Sequence, residues 1–183
     1  MRSYHQMMGI PRTEEYIGTG DNAIYNTVSK MKQIISESSK NPYVREWARD
    51  ILGYVDVNDK MNEARAVHNF VRDNVRYTKD PFGFEYIQTP PVLLEAIRER
   101  NKSGGNRPTG DCDDMTVLSL SLLKSIGFPV AIKVVSFHEN GRFSHVYGLV
   151  QVKGQWIPID CVRPDKQLGW EATGLTRVME TQI

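Results

Sequence analysis

The chain has 183 residues, 40% of them apolar and 25% charged, with 23 basic side chains against 22 acidic ones. That length closes one hydrophobic core, and a net charge near zero argues against nucleic acid or a membrane as partner. No apolar run is long enough to cross a bilayer, the N-terminus has no signal-peptide core, and two cysteines make no disulfide framework, so the expected location is a reducing, cytoplasmic one.

Residues 1–20 are broken by Gly9, Pro11, Gly18 and Gly20 and read as an arm. Asp21 opens a helix to about Ser38, with Ile24, Val28, Met31 and Ile35 along one face. Asn41 and Pro42, a cap and a first-turn proline, start a second helix to about Leu52 with Val44, Trp47 and Ile51 inward. A third begins at Asn58 or Asp59 and turns Met61, Ala64, Val67, Val71 and Val75 inward. Arg76, Tyr77 and Thr78 leave that helix, and Asp80-Pro81 turns the chain. Thr89-Pro90-Pro91 precedes a short helix over 92–98, and NKSGGNRPTG (101–110) is loop by composition. The next helix spans 112–126 and is stopped by Gly127 and Pro129. From Val130 the period becomes extended: a strand over 130–137, an Asn140-Gly141 turn, a strand over 142–152, a turn at 153–155 and a strand over 156–162. Helices followed by an antiparallel meander make an α+β fold, divided into an arm with helices at 1–57 and a core at 58–183 that carries the chemistry.

One cysteine, Cys112, stands at the head of a helix between Asp111, Asp113 and Asp114. Asp111 as N-cap and Asp114 three residues on form a capping box in acidic form, so two of the aspartates have a structural reading. The helix terminus favours a thiolate, but nearby carboxylates oppose it. Cys112 therefore needs a cationic partner, most economically an imidazolium. Of the four histidines, His5 lies in the arm, His68 mid-helix and His138 at the hairpin turn; all three read as packing or surface residues. His145, in FSHVYGLV, sits on a strand among apolar neighbours, where an imidazole is costly without a partner. Asp160, in WIPIDCV, is the matching oddity on the next strand. A short turn joins the two strands, so the pair falls nearly opposite and within reach. Cys112, His145 and Asp160 then read as nucleophile, base and orienting carboxylate. A buried His–Asp pair holding two strands in register is the bland alternative. A metal site built on Cys112, His145 and the aspartates is the other; it lacks a CxxC or HxxxH pair, and no metal or other cofactor is expected.

These residues resemble the transglutaminase-like superfamily, cysteine enzymes with a papain-like core. The resemblance rests on Gly110-Asp111-Cys112-Asp113-Asp114, the Ser144-His145-Val146-Tyr147 and Trp156-Ile157-Pro158-Ile159-Asp160 strands, and the lead-in FVRDNVRYTKDP and TPPVLLEAI, over about residues 60–162. It implies Cys112 as nucleophile, His145 as general base and acid, Asp160 as the carboxylate that orients it, and attack on a peptide or side-chain amide through a thioester acyl-enzyme. It also implies an oxyanion hole of the Cys112 backbone N–H with Gln88 or Tyr86, in a region where animal transglutaminases use Trp. Animal enzymes also have further domains and calcium sites that have no counterpart here. The short form resembles bacterial and phage-encoded members, some of which travel with virion proteins. Two functions follow as expectations: a cysteine hydrolase or acyl transferase with a protein or peptide substrate, or a non-catalytic virion adaptor that binds phage structural proteins through its N-terminal helices.

Overall fold

The computed structural model describes residues 21–53, 55–56, 58–80 and 86–183; the expected arm at 1–20, His5 within it, and the turn at Pro81 lie outside them. The described helices are α1 (Asp21–Ser38), α2 (Pro42–Leu52), α3 (Lys60–Asn74), α4 (Pro90–Ser103) and α5 (Cys112–Ser125). The strands are β1 (Arg76–Tyr77), β2 (Thr109–Gly110), β3 (Val130–Ser136), β4 (His145–Val152), β5 (Gln155–Ile159) and β6 (Arg177–Gln182). This is the α+β arrangement expected from the sequence. α2 starts as its signals require: the Asn41 side chain accepts from Tyr43 N–H with Pro42 in the first turn, while Asp59 caps α3 through Asn62 N–H.

α5 is the centre of the molecule. Its sequence is apolar nearly all round, the pattern of a helix covered on every side, and every residue from Asp113 to Leu123 is buried. Val28, Met31 and Ile35 of α1, Val44 and Ala48 of α2, Val67 and Val71 of α3, and Leu93 and Ile97 of α4 join its side chains in one core. On its other side lies an antiparallel sheet in the order β5-β4-β3-β6, to which Ile132, Val134, Val146 and Val150 contribute. The approach to β4 is close because Gly148 has no side chain. A Cβ there would stand 2.5 Å from Leu120 Cδ2 and 2.7 Å from Ile159 Cγ2, so the helix that carries Cys112 is pressed onto the strand that carries His145.

Five features depart from the sequence reading. α4 runs on to Ser103, and the expected loop begins only where Gly104 and Gly105 take positive φ. Within that loop Thr109 and Gly110 pair in parallel with Arg76 and Tyr77. The Asn-Gly site does not make a two-residue hairpin: the β3–β4 ladder ends at Val135↔His145, and in the loop between them Gly141 N–H donates to His138 O (2.8 Å) and Arg142 N–H to Asn140 Oδ1 (3.0 Å). β5 ends at Ile159 rather than 162, because Asp160 turns its Oδ1 back to accept from Val162 N–H at 3.0 Å. β6, which had no sequence signal beyond alternation, pairs with β3 from Ala131↔Gln182 to Ser136↔Arg177. Among the described residues, no helix is long and apolar enough to cross a membrane.

Candidate active site

Cys112 is the first residue of α5, and the capping box forms as the sequence implied. Asp111 Oδ1 accepts from the N–H groups of Asp113 (3.0 Å) and Asp114 (3.2 Å), and Asp114 Oδ2 accepts from Asp111 N–H at 3.3 Å. The box uses three amides of the first turn and leaves that of Cys112 outside it. Gly110 lets β2 lie against this cap, since a Cβ there would stand 2.9 Å from Asp114 Cβ.

The thiol sits between opposed influences. Burial pushes its pKa well above the usual thiol range, followed by the charges of Asp113 and Asp111. Asp113 adds a direct contact, accepting from the thiol at 3.6 Å between Sγ and Oδ1. The Val146 backbone N–H donates to the sulfur and favours the thiolate. That hydrogen bond brings the His145–Val146 peptide against Cys112, which places the head of α5 at the start of β4.

His145 Nε2 and Asp160 Oδ2 are 2.8 Å apart, the imidazole 16% exposed and the carboxylate 6%. The register makes the meeting diagonal rather than directly opposite: the last β4–β5 pair is Gly148↔Ile159, and Asp160 follows one residue beyond it. With Nε2 held by the carboxylate, Nδ1 is the ring nitrogen left for exchange with a thiol. The Tyr147 ring lies 5.6 Å from the imidazole, its hydroxyl donating to Glu171 at 2.5 Å, and Glu171 in turn pairs with Lys133 at 2.7 Å. Of the other histidines, His138 stands in the exposed loop before β4.

Asp114 is the buried acid beneath the cysteine. Burial raises its pKa from 3.8 to about 6, while hydrogen bonds from Gln88 N–H (2.6 Å), Gln88 Nε2 (2.8 Å) and Asp111 N–H pull it partly back. Between those two pH values the folded state binds a proton that the unfolded chain does not. Stability from this group therefore rises as pH falls from about 7 to about 4, by about 2 to 3 kcal/mol. Urea unfolding of wild type and Asp114→Asn across that range should show the variant lacking this component. Identical pH slopes for the two proteins would rule it out.

Those contacts revise one expectation. Gln88 Nε2 donates both to Asp114 Oδ2 and to Thr109 O (2.9 Å), which uses both of its hydrogens, so in this arrangement the Gln88 side chain has no donor left for an oxyanion. The Tyr86 backbone N–H is held by Asp80 Oδ2 at 2.7 Å. Tyr77, which the sequence left unassigned, belongs to this neighbourhood instead. Burial and the charges of Cys112, Asp111, Asp113 and Asp160 push its phenol up to about 12, and its strand pairs it with Gly110. His68, read as a packing residue, is fully buried with Nε2 3.0 Å from the Asp160 carbonyl. Sequence periodicity placed His68 beside the apolar face of α3 but held no sign of its partner, 92 positions away. Asp111, Cys112 and Asp113 each offer a ligand atom within 4.8 Å of the others; His145 is not part of that set.

Comparison with known proteins agrees with this architecture. The family model of the transglutaminase-like superfamily matches residues 45–161. A candidate cysteine protease from Cytophaga hutchinsonii superposes with a TM-score of 0.50 at 18% identity, over 83% of this chain and 53% of that one. A candidate protease from Parabacteroides distasonis gives 0.55 at 10% identity, over 74% and 26%, and LapG of Legionella pneumophila 0.47 at 14%, over 79% and 80%. The chain thus spans about half of the Cytophaga protein and a quarter of the Parabacteroides one. No curated protein matches it. With the model covering most of the chain, from α2 through the candidate cysteine, histidine and aspartate, the protein belongs to the transglutaminase-like superfamily.

Proposed function

We propose that the protein is a cysteine hydrolase or acyl transferase for peptide or side-chain amides, with Cys112 as nucleophile, His145 as base and acid, and Asp160 as the carboxylate that orients the imidazole. The observation that carries this reading is the 2.8 Å His145–Asp160 bond at the strand end whose next amide donates to the Cys112 sulfur. In the reaction, His145 Nδ1 takes the thiol proton and the sulfur attacks the amide carbonyl. The oxyanion meets the Cys112 backbone N–H at the positive end of α5, with the Tyr77 phenol or Tyr86 nearby as the second donor. The imidazolium then protonates the leaving nitrogen, giving ammonia from a glutamine side chain or an amine from a peptide, and leaves a thioester. Water or an acceptor amine resolves it.

The thiol's elevated pKa favours one alternative, a virion or adaptor protein that keeps the fold without turnover. Labelling separates the two. Iodoacetamide at neutral pH should alkylate Cys112 at least about tenfold faster than Cys161, whose thiol is buried in the core and pushed up in pKa by that burial. A glutamine-containing peptide should leave an acyl adduct on Cys112 visible by mass spectrometry. Equal alkylation of both cysteines in the folded protein, with no adduct, would leave the adaptor.

A further inference from the structure

Where β5 ends, the main chain loses its sheet partner. The β4–β5 ladder stops at Gly148↔Ile159, so the carbonyl of Asp160, a residue only 7% exposed, emerges into the interior just past the last rung. A buried carbonyl without a donor is costly. The donor here comes from another element: His68 of α3, 0% exposed, places Nε2 3.0 Å from that oxygen. Next to it the contact is returned, with the Cys161 thiol 3.8 Å from the His68 carbonyl. Asp160 is thus gripped at three points, by His68 on its main-chain oxygen, by Val162 N–H on Oδ1 (3.0 Å) and by His145 on Oδ2 (2.8 Å).

We infer that His68 is a positioning residue of the active site, which acts through Asp160 by donating its Nε2–H to the Asp160 carbonyl and so fixes the carboxylate that aims His145. This rests on the reading of Cys112, His145 and Asp160 given above. The carbonyl is an acceptor only, so Nε2 must carry a hydrogen. Burial disfavours the charged ring, and in a neutral ring that donates from Nε2 the bare nitrogen is Nδ1. Nδ1 lies 3.3 Å from Asn69 Oδ1; a bare Nδ1 needs the carboxamide turned over, so that its NH2 donates to the ring in place of the oxygen. A ring with one fixed donor, packed in the core of α3, holds the strand end more rigidly than a water or a long side chain. An apolar residue at 68 would fill the space and leave the carbonyl unpaired.

Two substitutions separate the donor from the packing. His68→Gln keeps an N–H near the position of Nε2, while His68→Leu removes it. Cys112 alkylation by iodoacetamide, followed from pH 5 to 9, is expected to slow about five- to tenfold in folded His68→Leu, the scale of one lost hydrogen bond, with a displaced pH profile, and to return to within about twofold of wild type in His68→Gln. A folded His68→Leu with the wild-type profile, or a His68→Gln as impaired as His68→Leu, overturns the assignment. Nitrogen-15 NMR of the wild-type ring tests it where His68→Leu does not fold: the Nε2–H tautomer with a slowly exchanging proton supports the assignment, and an Nδ1–H tautomer overturns it. His145→Ala distinguishes the levels of failure. Wild-type alkylation in that variant sinks the triad and His68's role with it; loss there, beside wild-type behaviour in His68→Leu, sinks the role of His68 alone.

Discussion

His145→Ala should slow alkylation of Cys112 at neutral pH by about 10²-fold or more, within the range of a positioned proton acceptor, and leave the fold intact. The size of the effect follows from the surroundings of the sulfur. Burial and the charges of Asp113 and Asp111 raise the thiol's pKa, and against them stand one backbone N–H from Val146 and the partial positive charge of the α5 terminus. Those two are modest beside two carboxylates, so an imidazolium has most of the work of stabilising the thiolate. His145 begins β4, its ring is mostly enclosed, and its removal leaves the sheet ladder untouched. His138→Ala, in the exposed loop before β4, is the control and should label at the wild-type rate. The measurement is the pseudo-first-order labelling rate by mass spectrometry, with circular dichroism to verify folding. A His145→Ala rate within about twofold of wild type would show that no thiolate–imidazolium pair exists.

Asp160→Asn is the second large effect, and its direction comes from the hydrogens. The carboxylate accepts at both oxygens, from Val162 N–H and from His145 Nε2. An asparagine keeps the first contact through its carbonyl oxygen and must then present its NH2 to Nε2. That turns Nε2 into an acceptor, moves the ring proton to Nδ1 and blocks the nitrogen proposed to take the proton from Cys112. In serine triads the equivalent change costs on the order of ten-thousand-fold, but papain-like enzymes function with asparagine in this role. The expected loss in labelling and acylation rate is therefore about ten- to a thousandfold, or about 1.4 to 4 kcal/mol of barrier. Stability should change little, because the Val162 and His68 contacts survive and a buried charge disappears. A large fall in melting temperature with labelling at the wild-type rate would make Asp160 a structural residue and leave a Cys–His dyad.

The local signals in this chain were strong where one segment settles its own conformation. Asn41-Pro42, Asp59, the acidic box around Cys112 and the Gly127-Pro129 stop each satisfy backbone groups within a turn or two, and each appears where the sequence put it. The α+β order was legible for the same reason, since a change of period from helix to strand is written along the chain. The Asn-Gly hairpin and the length of α4 were misjudged because turn and helix-end residues act with their flanks. Ser103 still closes a bond to Glu99 O at 2.8 Å before Gly104 breaks the helix.

The pairing of His145 with Asp160 was legible to within two residues, because a short turn fixes the register of the strands it joins. Their distance to Cys112 was not, and nothing local sets it. It depends on how closely α5 seats on β4, which Gly148 permits by lacking a Cβ. The sequence by itself determined the secondary elements, the cysteine at a helix head and the histidine and aspartate on neighbouring strands, since these follow from short-range hydrogen bonding and periodicity. Only the tertiary structure decided that Gln88 spends its amide on Asp114, that the strand of Tyr77 pairs with Gly110 just ahead of Cys112, and that His68 meets the Asp160 carbonyl. These contacts join segments far apart in the chain, and buried polar groups take whichever partner the packed core brings within hydrogen-bond reach.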